Sequence, residues 1–367
     1  MNRWGWRGKV ALLGVSLAFV LYPLLPIDDV INSDWPAFAT GARLIVHDPS
    51  HLYDFDVQRT VQLQVTGGRS LVGLSIHGIL PFLAPAWVAL IAVPFDLLGP
   101  NLGGRLWVLA ELACLIAALY LSVRPRPPDA ILPAFAGVPT ALLMLNAQLD
   151  GIVALGIGAA IALWSRPYLA GLALGLTLVK PQLVLPLGAA ALLTLRWRVL
   201  AGWATSGIVL LAATLVLNPR WVLDWLPALH TTVAPGSREV DLAHFGTAFP
   251  EATYPYAVAA LSLLALAVTL ALAARRQTDL KPALAILVIG GVLVSPHALP
   301  ADLILVSLGL AIWGEARWAE WLALSVIAVI AAVTPAPVPA VVGVPTMLWL
   351  SARISLRRRE PALASAR

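Results

Sequence analysis

The sequence predicts an all-α polytopic membrane protein, and three observations lead to that class. Of its 367 residues, 60% are hydrophobic and only 12% are charged, whereas about a quarter of the residues in a typical soluble domain are charged. Apolar runs of a length suited to a bilayer recur along the chain. Lys and Arg residues gather at the ends of these runs. We therefore expect one transmembrane bundle over residues 1–367, with roughly 10–12 membrane helices, some short or broken.

The apolar runs that we expect to form membrane helices extend from one end of the chain to the other. They cover residues 10–26, 106–123, 130–145, 151–164, 168–194, 199–217, 256–274, 281–294, 299–313, 319–334 and 338–352. Several are shorter than the about 20 residues that a full crossing requires, so we expect kinked or paired half-helices. The first run resembles a signal peptide but lacks a small-residue cleavage site, so we expect a retained anchor.

Composition also excludes several classes of function. The single cysteine, Cys114, lies in an apolar run, so neither a disulfide framework nor a cysteine-based zinc site is available. The net charge of +5 does not predict a nucleic-acid partner, because the basic residues are not gathered on one face. There is no P-loop and no glycine-rich nucleotide fingerprint. We expect no metal and no cofactor.

The charge of the short loops predicts the orientation of the bundle, since Lys and Arg favour the cytoplasm. The basic segments that we place there are residues 1–9, 124–128, 166, 196–198, 275–281, 317 and the tail 353–367. The other loops then face outward, chiefly a first outer loop at 27–78 and a second at 218–253. We expect the plasma (inner) membrane of a bacterial-type cell, with these two loops in the periplasm.

Acidic residues accumulate on this outward side. Thirteen Asp and Glu residues lie in or beside the outward segments, against six arginines. Acidic residues hardly influence membrane insertion, so this asymmetry requires another cause, and function is a candidate.

We expect that two segments do not cross the membrane as one continuous helix. Residues 79–98 contain Pro81, Pro85 and Pro94. Because residues 27–78 are expected outside and residues 124–128 inside, the segment between them must cross the membrane an odd number of times. We therefore expect residues 79–98 to return outward rather than cross. Residues 168–194 have arginines at both ends and the sequence VKPQ in the middle. Because proline breaks a helix, we expect a helical hairpin with Lys180 near its tip.

Asp34 is the first candidate for chemistry, and it has two interpretations. Ser33 or Asp34 could cap a short helix that has Pro36 in its first turn. That helix would carry an apolar stripe suited to the outer membrane interface, formed by Trp35, Phe38, Ala42 and Ile45. A capping carboxylate can still face a reaction site. Asp28 and Asp29 could contribute to the same site or only end a span in water.

The other candidates are polar residues at the outer ends of apolar runs. Lys180 stands between apolar neighbours and therefore needs an anionic partner. His297 can exchange a proton near neutral pH, and Asp302 lies at the same outer helix start. The remaining candidates are Tyr53, His77, Arg105, Asn146, Gln148 and Asp150. For the histidines at 47 and 51, a surface loop is favoured over a metal site.

These residue types match group transfer from a phosphate-linked donor. Carboxylates can activate a hydroxyl as general bases, while the cations Lys180, Arg105 and His297 can hold a phosphate. Without a nucleotide-binding motif, a donor carried by a lipid fits better than a nucleotide donor.

Several motifs together resemble the polytopic GT-C glycosyltransferases, and most closely glycosyltransferase family 87, which includes polyprenol-phosphate-mannose-dependent α-mannosyltransferases. The matching pieces are SDWPAFATGARLIVHDPSHLYD, NAQLDGIVAL, RPYLAGLALGLTLVKPQLVLPL with RWR, and SPHALPADLILV. The resemblance implies a GT-C bundle, an inverting transfer on the periplasmic side, and Asp34 as the general base. Lys180, His297, Asn146 and Gln148 fall on polar positions of the family pattern, which usually has glycine at the place of Ala147.

The expected function is transfer of a sugar, with mannose as the first expectation, from a polyprenyl-phosphate donor to a glycolipid or glycan. The expected partners are that donor, the acceptor and membrane lipids. Lys180, Arg105 and His297 would bind the donor phosphate, and the other polar candidates would bind substrate. Two alternatives stay open: a lipid-linked sugar flippase or other transporter, and a non-catalytic membrane subunit of envelope glycan assembly.

Overall fold

The computed structural model describes residues 31–69, 79–123, 131–232 and 239–357, and throughout these ranges the chain forms helices and no β-strand. The α-helices are α1 (Trp35–His47), α2 (Phe55–Val65), α3 (Ala86–Asp96), α4 (Pro100–Val123), α5 (Ile131–Phe135), α6 (Val138–Leu145), α7 (Asp150–Ala162), α8 (Pro167–Leu174), α9 (Leu185–Leu193), α10 (Trp197–Leu217), α11 (Trp221–Thr232), α12 (Tyr254–Ala274), α13 (Leu280–Val294), α14 (Leu303–Trp313), α15 (Trp318–Val333) and α16 (Val338–Leu356). Short 3₁₀ segments cover Pro49–His51, Gly175–Val179, Pro181–Val184, Leu242–Ala248 and Pro300–Asp302. The all-α prediction is confirmed.

Four helices in the described ranges are long and apolar enough to cross a membrane, namely α4, α10, α12 and α16. The other apolar helices are shorter, as the lengths of the runs predict. The expected first membrane helix, residues 10–26, lies outside the described residues. The polytopic bundle of long and short apolar helices therefore agrees with the predicted class.

The loops between the helices meet at two opposite ends of the bundle. At one end, which we call the polar end, the amide of Asn218 donates to the Pro49 carbonyl at 2.7 Å. At the other, the basic end, the Arg276 guanidinium donates to the Ile354 carbonyl at 2.9 Å. Each of these two contacts joins segments that are expected on the same side of the membrane.

The segment between Arg166 and Arg196 turns back on itself. The Arg196 guanidinium lies 5.5 Å from the centre of the Trp164 ring, so the two ends of the segment are neighbours. Lys180 separates two 3₁₀ segments with a non-helical backbone (φ −139°, ψ 70°). These features agree with the expected hairpin, which carries Lys180 to the polar end.

Helix α3 also remains at the polar end. Near its start, the Tyr53 hydroxyl donates to the Ala84 carbonyl at 2.9 Å. At its end, Asp96 pairs with Arg43 at 3.1 Å. Both contacts are made to the first outer loop, so residues 79–98 return outward, in agreement with the expectation from loop count.

Helix α1 forms as predicted, but the expected position of its apolar stripe on the membrane surface is wrong. Ten of its 13 residues are buried within the protein. The rings of Trp35 and Phe38 lie 5.7 and 5.3 Å from that of Trp107. Helices α3 and α4 cover the stripe. An apolar surface can be buried against apolar protein as favourably as against lipid.

Helices α13 and α14 form the centre of the bundle. Nearly every residue of α13 and every residue of α14 is buried, which explains why these helices are apolar on all sides. Because both are held firmly by packing, the connection between them, residues 295–302, has a fixed position at the polar end.

Candidate active site

Three segments that are distant in sequence bring a lysine and two carboxylates together at the polar end. The Lys180 ammonium lies 2.6 Å from Asp302 Oδ1 and 3.1 Å from Asp150 Oδ2. Asp150 is fully buried and Asp302 almost so, while the Lys180 side chain is 14% exposed. The anionic partner that Lys180 was expected to need is therefore a pair of carboxylates, and the cluster carries one net negative charge when all three groups are ionised.

Each member of this cluster is held by its own backbone setting. Pro181 ends the 3₁₀ segment before it and leaves Lys180 in an extended turn. Asp302 accepts a hydrogen bond from the Leu299 amide at 2.6 Å, which fixes the start of its helix. Asp150 begins α7, whose N-terminal amide of Ile152 donates to buried Glu111 at 3.1 Å. Glu111 therefore satisfies a helix end that would otherwise be unpaired.

Asp34 stands at the first residue before α1, but its carboxylate does not cap the helix. Ser33 Oγ accepts the Trp35 amide at 3.2 Å instead. The amide side chain of Gln148 donates to the Asp34 carboxylate, and the Asp34 backbone amide donates to the Asn146 carbonyl at 3.1 Å. Of the two caps considered from the sequence, Ser33 therefore makes the bond, and Asp34 is aimed toward the turn at 146–149.

That turn depends on an unusual backbone conformation. Ala147 has φ of +50°, in the left-handed region that glycine adopts most readily. Its carbonyl accepts a hydrogen bond from the Trp107 indole at 3.0 Å. This conformation precedes Gln148, whose side chain donates to Asp34.

The surroundings of Asp34 suit a general base. Burial raises the pKa of its carboxyl to about 6, and nearby Asp302 adds to the rise, while Lys180 and His297 oppose it. A carboxylate with a pKa near 6 is largely ionised at pH 7 and still basic enough to accept a proton.

His297 is the exposed cation of the site. Its Nδ1 lies 3.3 Å from Glu239 Oε1, and its side chain is 48% exposed. Partial burial would lower the pKa of His297, but the hydrogen bond and negative charge of Glu239 outweigh it and raise the pKa above its usual value. Burial would likewise raise the pKa of Glu239, but His297 holds it below its usual value. The pair thus favours a protonated imidazole, whose Nε2 has no hydrogen-bond partner among the described residues.

The second outer loop fixes this histidine in place. Asp241 accepts the Ala298 amide at 2.7 Å, and the Val240 amide donates to the Ala298 carbonyl at 2.8 Å. The second Glu239 oxygen lies 3.2 Å from Nδ1 of His244. Residues 239–244 and 295–302 therefore behave as one unit at the mouth of the site.

The structure does not place the remaining predicted site residues in contact with the cluster. The Tyr53 hydroxyl is bound to Ala84 and the Asn146 amide to Leu142 of its own helix, so neither side chain contacts the cluster. Arg105 has a buried Nε without a hydrogen-bond partner among the described residues. Asp28, Asp29 and His77 lie outside the described residues. No group of three or more His, Cys, Asp or Glu residues in the described ranges could hold a metal ion.

Two residues of the site were not assigned to it from sequence. Asp302 was noted at a helix start but not as the partner of Lys180, and Glu239 was counted only among the outward acids. The need of Lys180 for an anion was a signal for Asp302, since few acids lie at the outer helix ends. For Glu239 no comparable signal exists, because its partner is 58 residues away.

Comparison with known proteins identifies one family. The sequence model of glycosyltransferase family 87 matches residues 82–296, more than half of the chain. The matched range contains Asp150, Lys180 and Glu239, whereas Asp34 and Asp302 lie outside it. No curated protein and no solved structure matches the chain. With its apolar helical bundle and a polar cluster at one end, this chain belongs to glycosyltransferase family 87 and is a membrane-associated glycosyltransferase.

Proposed function

We propose that this glycosyltransferase moves a sugar, with mannose as the first candidate, from a polyprenyl-phosphate donor to a glycolipid or glycan on the periplasmic side. The observation that carries the proposal is the position of Asp34. Its carboxylate has a pKa of about 6 and lies close enough to Lys180, Asp302 and His297 to be shifted by their charges. A base beside cations is the arrangement that transfer from a phosphate-linked sugar requires.

The reaction is a single displacement. The Asp34 carboxylate takes the proton of an acceptor hydroxyl while the hydroxyl oxygen attacks the anomeric carbon of the sugar. A new glycosidic bond forms on the face opposite the phosphate, and the bond from the anomeric carbon to the phosphate oxygen breaks. The polyprenyl phosphate leaves with the electron pair, so the anomeric configuration is inverted.

The leaving phosphate would be stabilised chiefly by His297. Its side chain is half-exposed, and Glu239 favours the protonated ring. Lys180 has three N–H donors, and its two carboxylate partners leave one of them for the phosphate. Arg105 is the third candidate, because its buried Nε has no partner among the residues that the structure describes. Because Asp150 and Asp302 already neutralise Lys180, we assign it a smaller share of phosphate binding than His297.

A lipid-borne donor suits the position of the cluster. The site lies at one end of a bundle of apolar helices, several of which are short. A polyprenyl chain can remain in the bilayer while its phosphate reaches the polar end. The charge of the loops favours a periplasmic position for that end. Family membership favours transfer over the alternatives of a flippase, another transporter or a non-catalytic subunit.

The test is a transfer assay with the purified full chain in lipid nanodiscs. Donors are polyprenyl-phosphate mannose, glucose and arabinose, with the matching nucleotide sugars as controls, and the acceptors are a panel of glycolipids and oligosaccharides. We expect a new glycosidic bond of inverted configuration from at least one polyprenyl-phosphate donor and none from the nucleotide sugars. Transfer from a nucleotide sugar, or lipid-donor binding without transfer to any acceptor, would contradict the proposal.

A further inference from the structure

A polar cavity lies at the polar end, and none of the residues of the cluster around Asp34 lines it. It has a volume of about 530 Å³ and is formed between the 3₁₀ segment that follows α1 and the start of α11. The side chains that give it its character are those of Ser50, His51, Asp54, Arg220, Leu223 and Asp224. None of these residues has a role in the proposed transfer step.

Several polar groups of this cavity are available to a ligand. Asn218 is not, because its amide bonds the Pro49 carbonyl and accepts the Arg220 backbone amide. In contrast, the guanidinium of Arg220 and the carboxylate of Asp224 are bound by no group of the described residues. Asp54 uses one oxygen for the amides at the start of α2, and its other oxygen has no hydrogen-bond partner in the described part of the chain.

The balance of charge in the cavity selects the chemistry of the ligand. Two carboxylates and one guanidinium, with a histidine already paired to Asp48 at 2.9 Å, give no strong excess of either sign. Such a lining does not strongly repel a ligand of either charge. Its carboxylates accept and its guanidinium donates hydrogen bonds that are strengthened by charge. Sugar hydroxyls can donate to the carboxylates and accept from Arg220, while Leu223 can cover the apolar face of a sugar ring.

The cavity is also at a defined distance from the proposed base. Asp34 precedes α1, and the cavity begins just after that helix ends. The 13 residues of α1 correspond to about 20 Å at 1.5 Å per residue. One sugar cannot extend over that distance, but an oligosaccharide can.

We propose that this cavity binds the part of the acceptor glycan that is remote from the reacting hydroxyl, and that the acceptor is therefore an oligosaccharide or a glycolipid with several sugars. This inference rests on the proposed function, since it assigns a second contact to the same acceptor. The cavity and the base then act as two ends of one acceptor site, which selects for glycan length.

The test measures glycan binding rather than turnover. The full chain carrying Asp34→Asn is held in nanodiscs and titrated with a disaccharide and a hexasaccharide from each of three series, manno-, gluco- and arabino-oligosaccharides. We expect the hexasaccharide of at least one series to bind more tightly than its disaccharide. Arg220→Gln and Asp224→Asn should each weaken hexasaccharide binding by about 10- to 100-fold, the usual effect of losing a hydrogen bond to a charged group.

Arg59→Gln is the matched control, because Arg59 is exposed on α2 in the same outer loop but does not line the cavity. It should bind the hexasaccharide as tightly as the parent protein. Equal binding of both lengths in all three series, or unchanged binding in Arg220→Gln and Asp224→Asn, would overturn the inference. The proposed function fails separately, if the protein that has native Asp34 transfers no sugar to any acceptor.

Discussion

The hydrogen bond from Gln148 to Asp34 predicts a specific change in pH dependence. The substitution Gln148→Met keeps the length of the side chain but removes the donor to the Asp34 carboxylate. A hydrogen bond to a charged group contributes about 1.5–3 kcal/mol, and one pKa unit corresponds to about 1.4 kcal/mol. Because the lost bond stabilised the ionised form, the pKa of Asp34 should rise by about one to two units.

The direction of the kinetic effect follows from the role of Asp34 as a base. Only the deprotonated carboxylate accepts the acceptor proton, so kcat/KM should fall on the acid side with an apparent pKa of about 6 in the native protein. In Gln148→Met this acid limb should move to about pH 7–8. At pH 6 the kcat/KM of the variant should therefore be lower by about 5- to 50-fold, and at high pH the difference should narrow.

The assay is the initial rate of transfer from labelled polyprenyl-phosphate sugar at subsaturating acceptor, measured across the pH range. Asn146→Ala is the control, since the Asn146 amide bonds the Leu142 carbonyl and not Asp34. Its acid limb should stay near that of the native protein. An acid limb in Gln148→Met that is unmoved, or that moves to lower pH, would refute the assignment of this limb to Asp34.

Two further variants test the groups around the base. Glu239→Gln removes the charge that raises the pKa of His297, so the alkaline limb of kcat/KM should move to lower pH and KM for the lipid donor should rise; an unchanged alkaline limb would contradict the role of this pair. Lys180→Met leaves the buried carboxylates of Asp150 and Asp302 without their cation, which should cost about 3–5 kcal/mol of stability. A clearly lower midpoint of thermal unfolding in detergent should result, and adding Asp150→Asn should recover part of it; a midpoint equal to that of the native protein would count against the cluster.

The sequence predicts the architecture of this protein well because the bilayer leaves few choices. Long apolar runs must become helices, since no water is present to satisfy an unpaired backbone. The arginines at 166 and 196 and the proline after Lys180 together require a turn in the middle of that run, and the structure has it. Loop charge likewise predicts which loops meet at each end.

Other features cannot be predicted because an apolar surface does not reveal what covers it. The stripe on α1 could face lipid or protein, and lipid tails are about as apolar as the side chains of α3 and α4. Among the site residues, only Lys180 predicts from its apolar sequence context that it has an anionic partner. The contact between Glu239 and His297 depends on how the second outer loop folds over residues 295–302, and no periodicity in the sequence encodes that fold.

The central claim is that Asp34 is the base for sugar transfer from a polyprenyl-phosphate donor. A single-turnover measurement with Asp34→Asn tests it most directly, because the rate of a single turnover does not depend on product release. The protein should remain folded and should still bind the donor, while the rate of transfer should fall by about 10²–10⁴-fold or more. A transfer rate in Asp34→Asn close to that of the native protein would contradict the claim.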